Sequence, residues 1–179
     1  MPAKRYIGLL RGINVGGNKK VPMADLREMM ASLGYENVKT VLASGNVAWD
    51  ADNDDTDAMQ SRIEAAIQSK FGFNVPTQVI PQTQVDALIT RDPFAGIEVT
   101  ADTRLYVTFL PQAHSPSFEV PYHAPTGDFT ILSVAPTDVC SVLTVSNTRS
   151  VDAMAILETE FGKGITTRNW NTVLKIAKL

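Results

Sequence analysis

Two spacings of apolar positions alternate along this chain, and the points where one gives way to the other mark its elements. Tyr6-Ile7-Gly8-Leu9-Leu10 is a short apolar run that predicts a strand over residues 4–10. Pro22 suits a first helical turn. Met23, Leu26, Met29, Met30 and Leu33 follow at helical spacing and stop at Gly34, predicting an amphipathic helix. Val38 to Leu42 reads as a β-branched strand, Ser44-Gly45-Asn46 as a tight turn and Val47-Ala48-Trp49 as the returning strand. Met59, Ile63, Ala66, Ile67 and Phe71 mark a second helix with Gly72 just past its end, and Val75 to Ile80 is another strand. The order β-α-β-β-α-β is that of a split βαβ, ferredoxin-like unit.

A short helix from Gln82 to Thr90 stops near Asp92-Pro93-Phe94, and a second strand-rich half begins. Arg104 to Leu110 is a strand. Residues 111–127 carry Pro111, Pro116, Pro121 and Pro125, which predicts a long irregular excursion. Phe129 to Ala135 and Val139 to Val145 form a hairpin through Pro136-Thr137-Asp138. Ser150 is placed to cap a helix bearing Met154, Ile156, Leu157 and Phe161, Ile165 to Arg168 is a short strand, and Asn169 is placed to cap a last helix. The expected class is α+β: two ferredoxin-like (split βαβ) subdomains with mainly antiparallel sheets. They would span 1–81 and 102–179, joined by a helical linker over 82–101. The halves share their element order but no residue-level repeat, so the order alone suggests duplication. Many strands are apolar on both faces, so each sheet is expected to be covered on both sides, by helices on one and by the other half or a partner subunit on the other.

Composition narrows the class. The chain has 179 residues, is 44% hydrophobic and 20% charged, and shows no long uninterrupted apolar window, which fits a globular protein without a membrane span. No secretory signal is evident at the N-terminus, and the single cysteine, Cys140, excludes an internal disulfide or a CxxC motif, so a cytoplasmic location is expected. The net charge of −3 argues against a nucleic-acid coat, yet residues 1–40 hold seven cations and three acids, leaving −7 on the remainder. A positive region on an acidic chain suits a small anion. Chance clustering on a solvated face is the alternative.

Arg11-Gly12-Ile13-Asn14-Val15-Gly16-Gly17-Asn18-Lys19-Lys20 lies between the first strand and first helix. A glycine-rich basic loop running into a helix start directs backbone N–H groups and cations to one place. In a split βαβ unit the first strand's exit and the turn between strands two and three share one edge. That edge would bring Ser44 and Asn46 to the loop, while Gly45 permits close backbone approach. Gly45 and Asn46 also simply satisfy a hairpin turn. Thr166-Thr167-Arg168-Asn169-Trp170-Asn171 is a third polar cluster at a strand end. In it Arg168 is a candidate anion partner, whereas Trp170 reads as core or subdomain contact.

Other motifs fit poorly. Gly12-x-x-x-x-Gly17-Asn18-Lys19-Lys20 departs from a P-loop in the lysine's position and in lacking the hydroxyl after it, and no GxGxxG fingerprint occurs, so no cofactor is implied. Asp50-x-Asp52-x-Asp54-Asp55-x-Asp57 has Asp55 and Ser61 where an EF-hand needs glycine and glutamate, and it reads better as acids at a helix start. His114 and His123 make no metal set with one distant cysteine, Cys140 reads as a small buried apolar residue, and no GxSxG elbow supports Ser44 as a nucleophile.

The runs Tyr6-Ile7-x-Leu9-Leu10-Arg11-Gly12-Ile13-Asn14-Val15-Gly16-Gly17, Val21-Pro22-Met23-x-x-Leu26, Leu42-x-Ser44-Gly45-Asn46-Val47, Phe71-Gly72-Phe73-x-Val75-Pro76 and Thr167-Arg168-Asn169-Trp170-Asn171-Thr172-Val173 resemble the bacterial domain-of-unknown-function family sixteen ninety-seven. The resemblance covers most of the chain outside residues 111–150. It implies two ferredoxin-like α+β subdomains, and carries no activity, substrate or catalytic residue. The residues themselves lead to one expectation. Arg11, Asn14, Gly16, Gly17, Lys19, Ser44, Asn46 and Arg168 would bind a small phosphorylated, carboxylated or nucleotide-like ligand, with no metal. An enzyme acting on an anionic substrate at the same edge is the alternative. A nucleic-acid or protein interaction module rests on fold analogy alone, and self-association stays open.

Overall fold

A computed structural model describes residues 2–145 and 150–179, the side chains of Ser150 and Val151 excepted. The capping role expected of Ser150 therefore lies outside what it describes. Five helices and two antiparallel sheets make up the described residues, and the chain divides into two compact units. The first comprises residues 1–87 and 175–179, the second residues 88–174.

The first unit runs β1 (Lys4–Leu10), α1 (Met23–Ser32), β2 (Glu36–Val41), β3 (Asn46–Ala51), α2 (Thr56–Phe71) and β4 (Thr77–Pro81), with sheet order β2-β3-β1-β4. This is the ferredoxin-like arrangement that the element order predicts. The acidic stretch before α2 divides between capping and pairing. The Asp55 carboxylate accepts from the Ala58 N–H at 2.9 Å as N-cap, while Asp50 pairs with Arg5 and Asp54 with Lys4, each at 2.7 Å. Gly72 ends α2 in the left-handed conformation at φ 84°, the role its position predicts. Tyr6 and Leu10 of β1 face a core built with Trp49, Leu26, Met30, Ile63 and Ile67. Ile7 and Leu9, on the opposite face, are also fully buried, so both faces of β1 are covered.

Helix α3 (Gln82–Arg91) spans the division between the units. The second unit continues with β5 (Thr103–Phe109), the two-residue β6 (Tyr122–His123), β7 (Phe129–Val134), β8 (Asp138–Thr144), α4 (Ser150–Phe161), β9 (Thr166–Asn169) and α5 (Trp170–Ile176). Its sheet order is β6-β7-β8-β5-β9. With β6 set aside, β7-β8-β5-β9 repeats β2-β3-β1-β4. The repeat extends to single bonds. The Leu10 N–H donates to the Gly45 carbonyl at 2.8 Å where β1 leaves its sheet, and the Leu110 N–H donates to the Thr137 carbonyl at 2.9 Å where β5 leaves its own. The polar residue next to that bond is buried in each half, Asn46 at 0% and Asp138 at 1% exposure.

What differs is the crossover. The first half uses α1, whereas the second uses the proline-rich segment between β5 and β7. Prolines deny that segment helical hydrogen bonds, so side chains fix it instead. Phe118 stacks on Tyr122 at 4.4 Å and meets Phe161 of α4 edge-on at 6.4 Å. The Ser117 N–H and hydroxyl both donate to the Glu160 carboxylate at 2.7 Å, and His114 lies 3.2 Å from the same carboxylate.

Candidate functional site

Residues 11–22 form a compact loop with five residues in left-handed backbone close together: Gly12 (φ 69°), Asn14 (55°), Gly16 (60°), Gly17 (79°) and Lys19 (46°). Glycine adopts this region without strain, and asparagine does so more readily than most residues. The Asn14 N–H donates to the Lys19 carbonyl, and the Asn18 N–H to the Val15 carbonyl, both at 3.1 Å, closing the loop on itself.

The Asn14 side chain fastens this loop to its surroundings. Its Nδ2 donates to the Val21 carbonyl at 3.0 Å and the Ala43 carbonyl at 2.7 Å, and its Oδ1 accepts from the Val21 N–H at 2.8 Å. One amide thus ties together both ends of the loop and the β2–β3 turn. At that turn Gly45 is buried at φ 93°, and a Cβ built there would lie 2.7 Å from both Leu10 Cβ and Ile13 Cδ1. The glycine is required for close approach as well as for backbone conformation. Strand exit and hairpin turn therefore share one rim, as the topology predicts.

Seven of the eight expected site residues belong to the first unit and take different places around this rim, whereas Arg168 belongs to the other unit. Gly16 and Gly17 are exposed, with open space where side chains would stand. Lys19 is exposed and its Nζ donates to the Asn74 carbonyl at 2.9 Å, which leaves two of its three ammonium donors. Arg11 is half-buried, and its N–H donates to the Pro76 carbonyl at 3.0 Å. Ser44 is exposed in the turn. Asn46 is fully buried and its Nδ2 donates to the Val41 carbonyl at 2.9 Å and to Ser44 Oγ at 3.1 Å, so it braces the hairpin. Asn14 braces the loop in the same way. Arg168 belongs to the second unit, on β9, where burial pushes its guanidinium down to about 10 and its Nη1 donates to the Thr167 carbonyl at 3.2 Å.

A cavity of about 360 Å³ opens at the rim, lined by Asn14, Gly17, Lys20, Val21, Pro22, Met23 and Ala43. Of these only Asn14 and Gly17 were among the expected residues; Lys20, Val21, Pro22, Met23 and Ala43 were not. Lys20 was legible as part of the basic run, but the apolar walls are defined only once the turn folds over the loop. Pro22 is the N-cap residue of α1 and supplies no side-chain hydrogen bond to the helix start. The first N–H groups of α1 are thus available beside the cavity. Among the described residues no group of three or more His, Cys, Asp or Glu side chains is placed to hold a metal ion. No helix among them is long and apolar enough to cross a membrane.

Fold and rim together define an α+β protein of two ferredoxin-like halves, one of them carrying a glycine-rich basic loop. The model of the family described as "Protein of unknown function (DUF1697)" matches residues 3–126, and the chain belongs to that family. It is also similar to the solved structure of the conserved bacterial protein SP0830 from Streptococcus pneumoniae, with a TM-score of 0.71, 21% identity and 98% of each chain covered. That likeness bears on the fold. No curated protein matches the chain.

Proposed function

We propose that the first unit binds a small anionic ligand, phosphorylated or carboxylated, in the cavity between the glycine loop and the start of α1. The carrying observation is the coincidence of three things in about 360 Å³: Lys20 on the wall, exposed Gly17 backbone, and a helix start that Pro22 leaves without a side-chain cap. Unpaired N–H groups and the positive end of the helix dipole favour an anion there, and the lysine adds a full charge. Val21, Pro22, Met23 and Ala43 offer an apolar wall to the rest of the ligand. Lys19 and Arg11 extend the positive field around the mouth. A cytoplasmic location goes with this reading, in keeping with a lone buried thiol.

Isothermal titration with inorganic phosphate, pyrophosphate, AMP and glucose 6-phosphate is the test. Binding should weaken as salt rises, and Lys20→Ala should weaken it about fivefold to tenfold. Binding left unchanged by both Lys20→Ala and the Arg11→Ala/Lys19→Ala pair would remove the loop from the account.

A further inference from the structure

A second cavity, of about 540 Å³, lies within the second unit and is lined by the 92–105 segment and the β9–α5 junction. It absorbs the Asn169-Trp170-Asn171 motif, for which the glycine loop provides no role. We propose that this cavity binds a nucleobase, free or as a nucleoside, stacked on Trp170 and read at its edge by asparagine amides.

Three observations carry the assignment. Trp170 is half-buried, lines the cavity, and is packed by Phe94 in an edge-on contact at 5.1 Å, so an aromatic surface is held in a fixed orientation at the wall. Val99 lines the same cavity and remains 62% exposed, an apolar surface that a stacked planar ligand would cover. The polar lining is balanced. Asp92 and Arg104 oppose one another in sign, while Asn169 and Asn171 each carry one acceptor oxygen and two donor hydrogens. Arg104 Nη1 donates to the Ala101 carbonyl at 2.8 Å and the Thr103 carbonyl at 3.1 Å, which fixes the guanidinium and occupies part of its fork. A lining with one charge of each sign disfavours a strongly charged ligand. Amide donors and acceptors beside a fixed indole suit the edge and face of a heterocyclic base, for which asparagine is a bidentate partner. The cavity lies in the size range of small-molecule sites.

The chain has two tryptophans, and Trp49 is fully buried in the first unit's core, so it serves as an internal control. Full-length ¹⁵N-labelled protein is titrated with adenosine, guanosine, cytidine and uridine, and with ribose alone, while both indole N–H resonances are followed. At least one nucleoside should shift the Trp170 resonance saturably and leave that of Trp49 unmoved. Asn171→Ala, at an exposed position, should weaken binding about tenfold. Asp92→Asn should change the preference among the four bases, and the Arg11→Ala/Lys19→Ala pair should bind as the wild type does, separating this site from the glycine loop. The proposal is overturned if no nucleoside moves Trp170 at millimolar concentration, if ribose moves it equally, or if Asn171→Ala binds unchanged while retaining its native spectrum.

Discussion

Replacing Gly45 by alanine should cost far more stability than replacing Gly16, although both glycines sit on the same rim in left-handed backbone, at φ 93° and 60°. The backbone term is shared, about 1–2 kcal/mol for a side chain in that region. The steric term is not. At Gly16 nothing lies within 4 Å of a new Cβ, whereas at Gly45 it would lie 2.7 Å from Leu10 Cβ and from Ile13 Cδ1. The isoleucine methyl can swing away. Leu10 Cβ is fixed by its own backbone, which the 2.8 Å bond from its N–H to the Gly45 carbonyl holds in place. Overpacking of this kind costs roughly 1–3 kcal/mol, so Gly45→Ala should lose about 2–5 kcal/mol in total. That is a large share of the stability of an ordinary domain. Urea denaturation followed by far-UV circular dichroism measures it. With a slope of about 2 kcal/mol per molar, a loss of about 3 kcal/mol lowers the midpoint by roughly 1.5 M, against about 0.5–1 M for Gly16→Ala. Equal shifts for the two variants would refute the close packing of the turn against the strand exit.

Asn14→Ala removes three hydrogen bonds and leaves a methyl side chain in left-handed backbone, so urea midpoints should report a loss of about 2–4 kcal/mol, with the ligand affinity of the loop falling alongside. The Cys140 thiol is fully buried, and burial, then the neighbouring Asp138 charge, pushes it from 9.0 up to about 11. At pH 8 a disulfide reagent should label it only at the rate at which the protein opens, and labelling as fast as a free thiol would contradict its packing. A raised folded value means that its contribution to stability is intact below pH 9 and is lost as pH rises through about 11, so Cys140→Ala should flatten the alkaline decline. For Asp50, burial raises the carboxyl, but hydrogen bonds from Asn37 and Arg5 outweigh it and hold the group below 3.8. Its contribution is therefore present at neutral pH and lost as pH falls through the depressed value. Asp50→Asn should be less stable than the wild type at pH 7, with the gap closing in acid-titrated melts.

Spacing made the first half legible in detail. The apolar run of β1, Pro22 at the start of α1, the Ser44-Gly45-Asn46 turn and Gly72 all stand where their chemistry puts them. The shared rim was legible too, because it follows from strand order alone. Side-chain roles were harder to read. Asn14 and Asn46 resemble ligand contacts in a one-dimensional sequence, yet their amides are engaged by carbonyls of neighbouring segments whose approach exists only after folding. The same limit applies to the proline-rich segment. Its composition announces irregularity, while its attachment depends on Glu160, which lies 43 residues from Ser117 along the chain. Trp170 reads from the sequence as core or subdomain contact; it is half-buried and packed edge-on by Phe94, and its position at a cavity wall becomes visible only in the fold.

The bond from strand exit to hairpin turn occurs in both halves, at Leu10 and again at Leu110, yet only the first is followed by glycines and cations, and the second is followed by Pro111. Whatever holds the sheets together is therefore indifferent to what the chain does next. The fold thus holds two equivalent sockets, one continued as a tight basic crook and the other as a long girdle. A protein engineer can treat the exposed tip, residues 15–18, as a replaceable cassette, provided that Ile13, buried in the core, and Asn14, which fastens the loop, are kept.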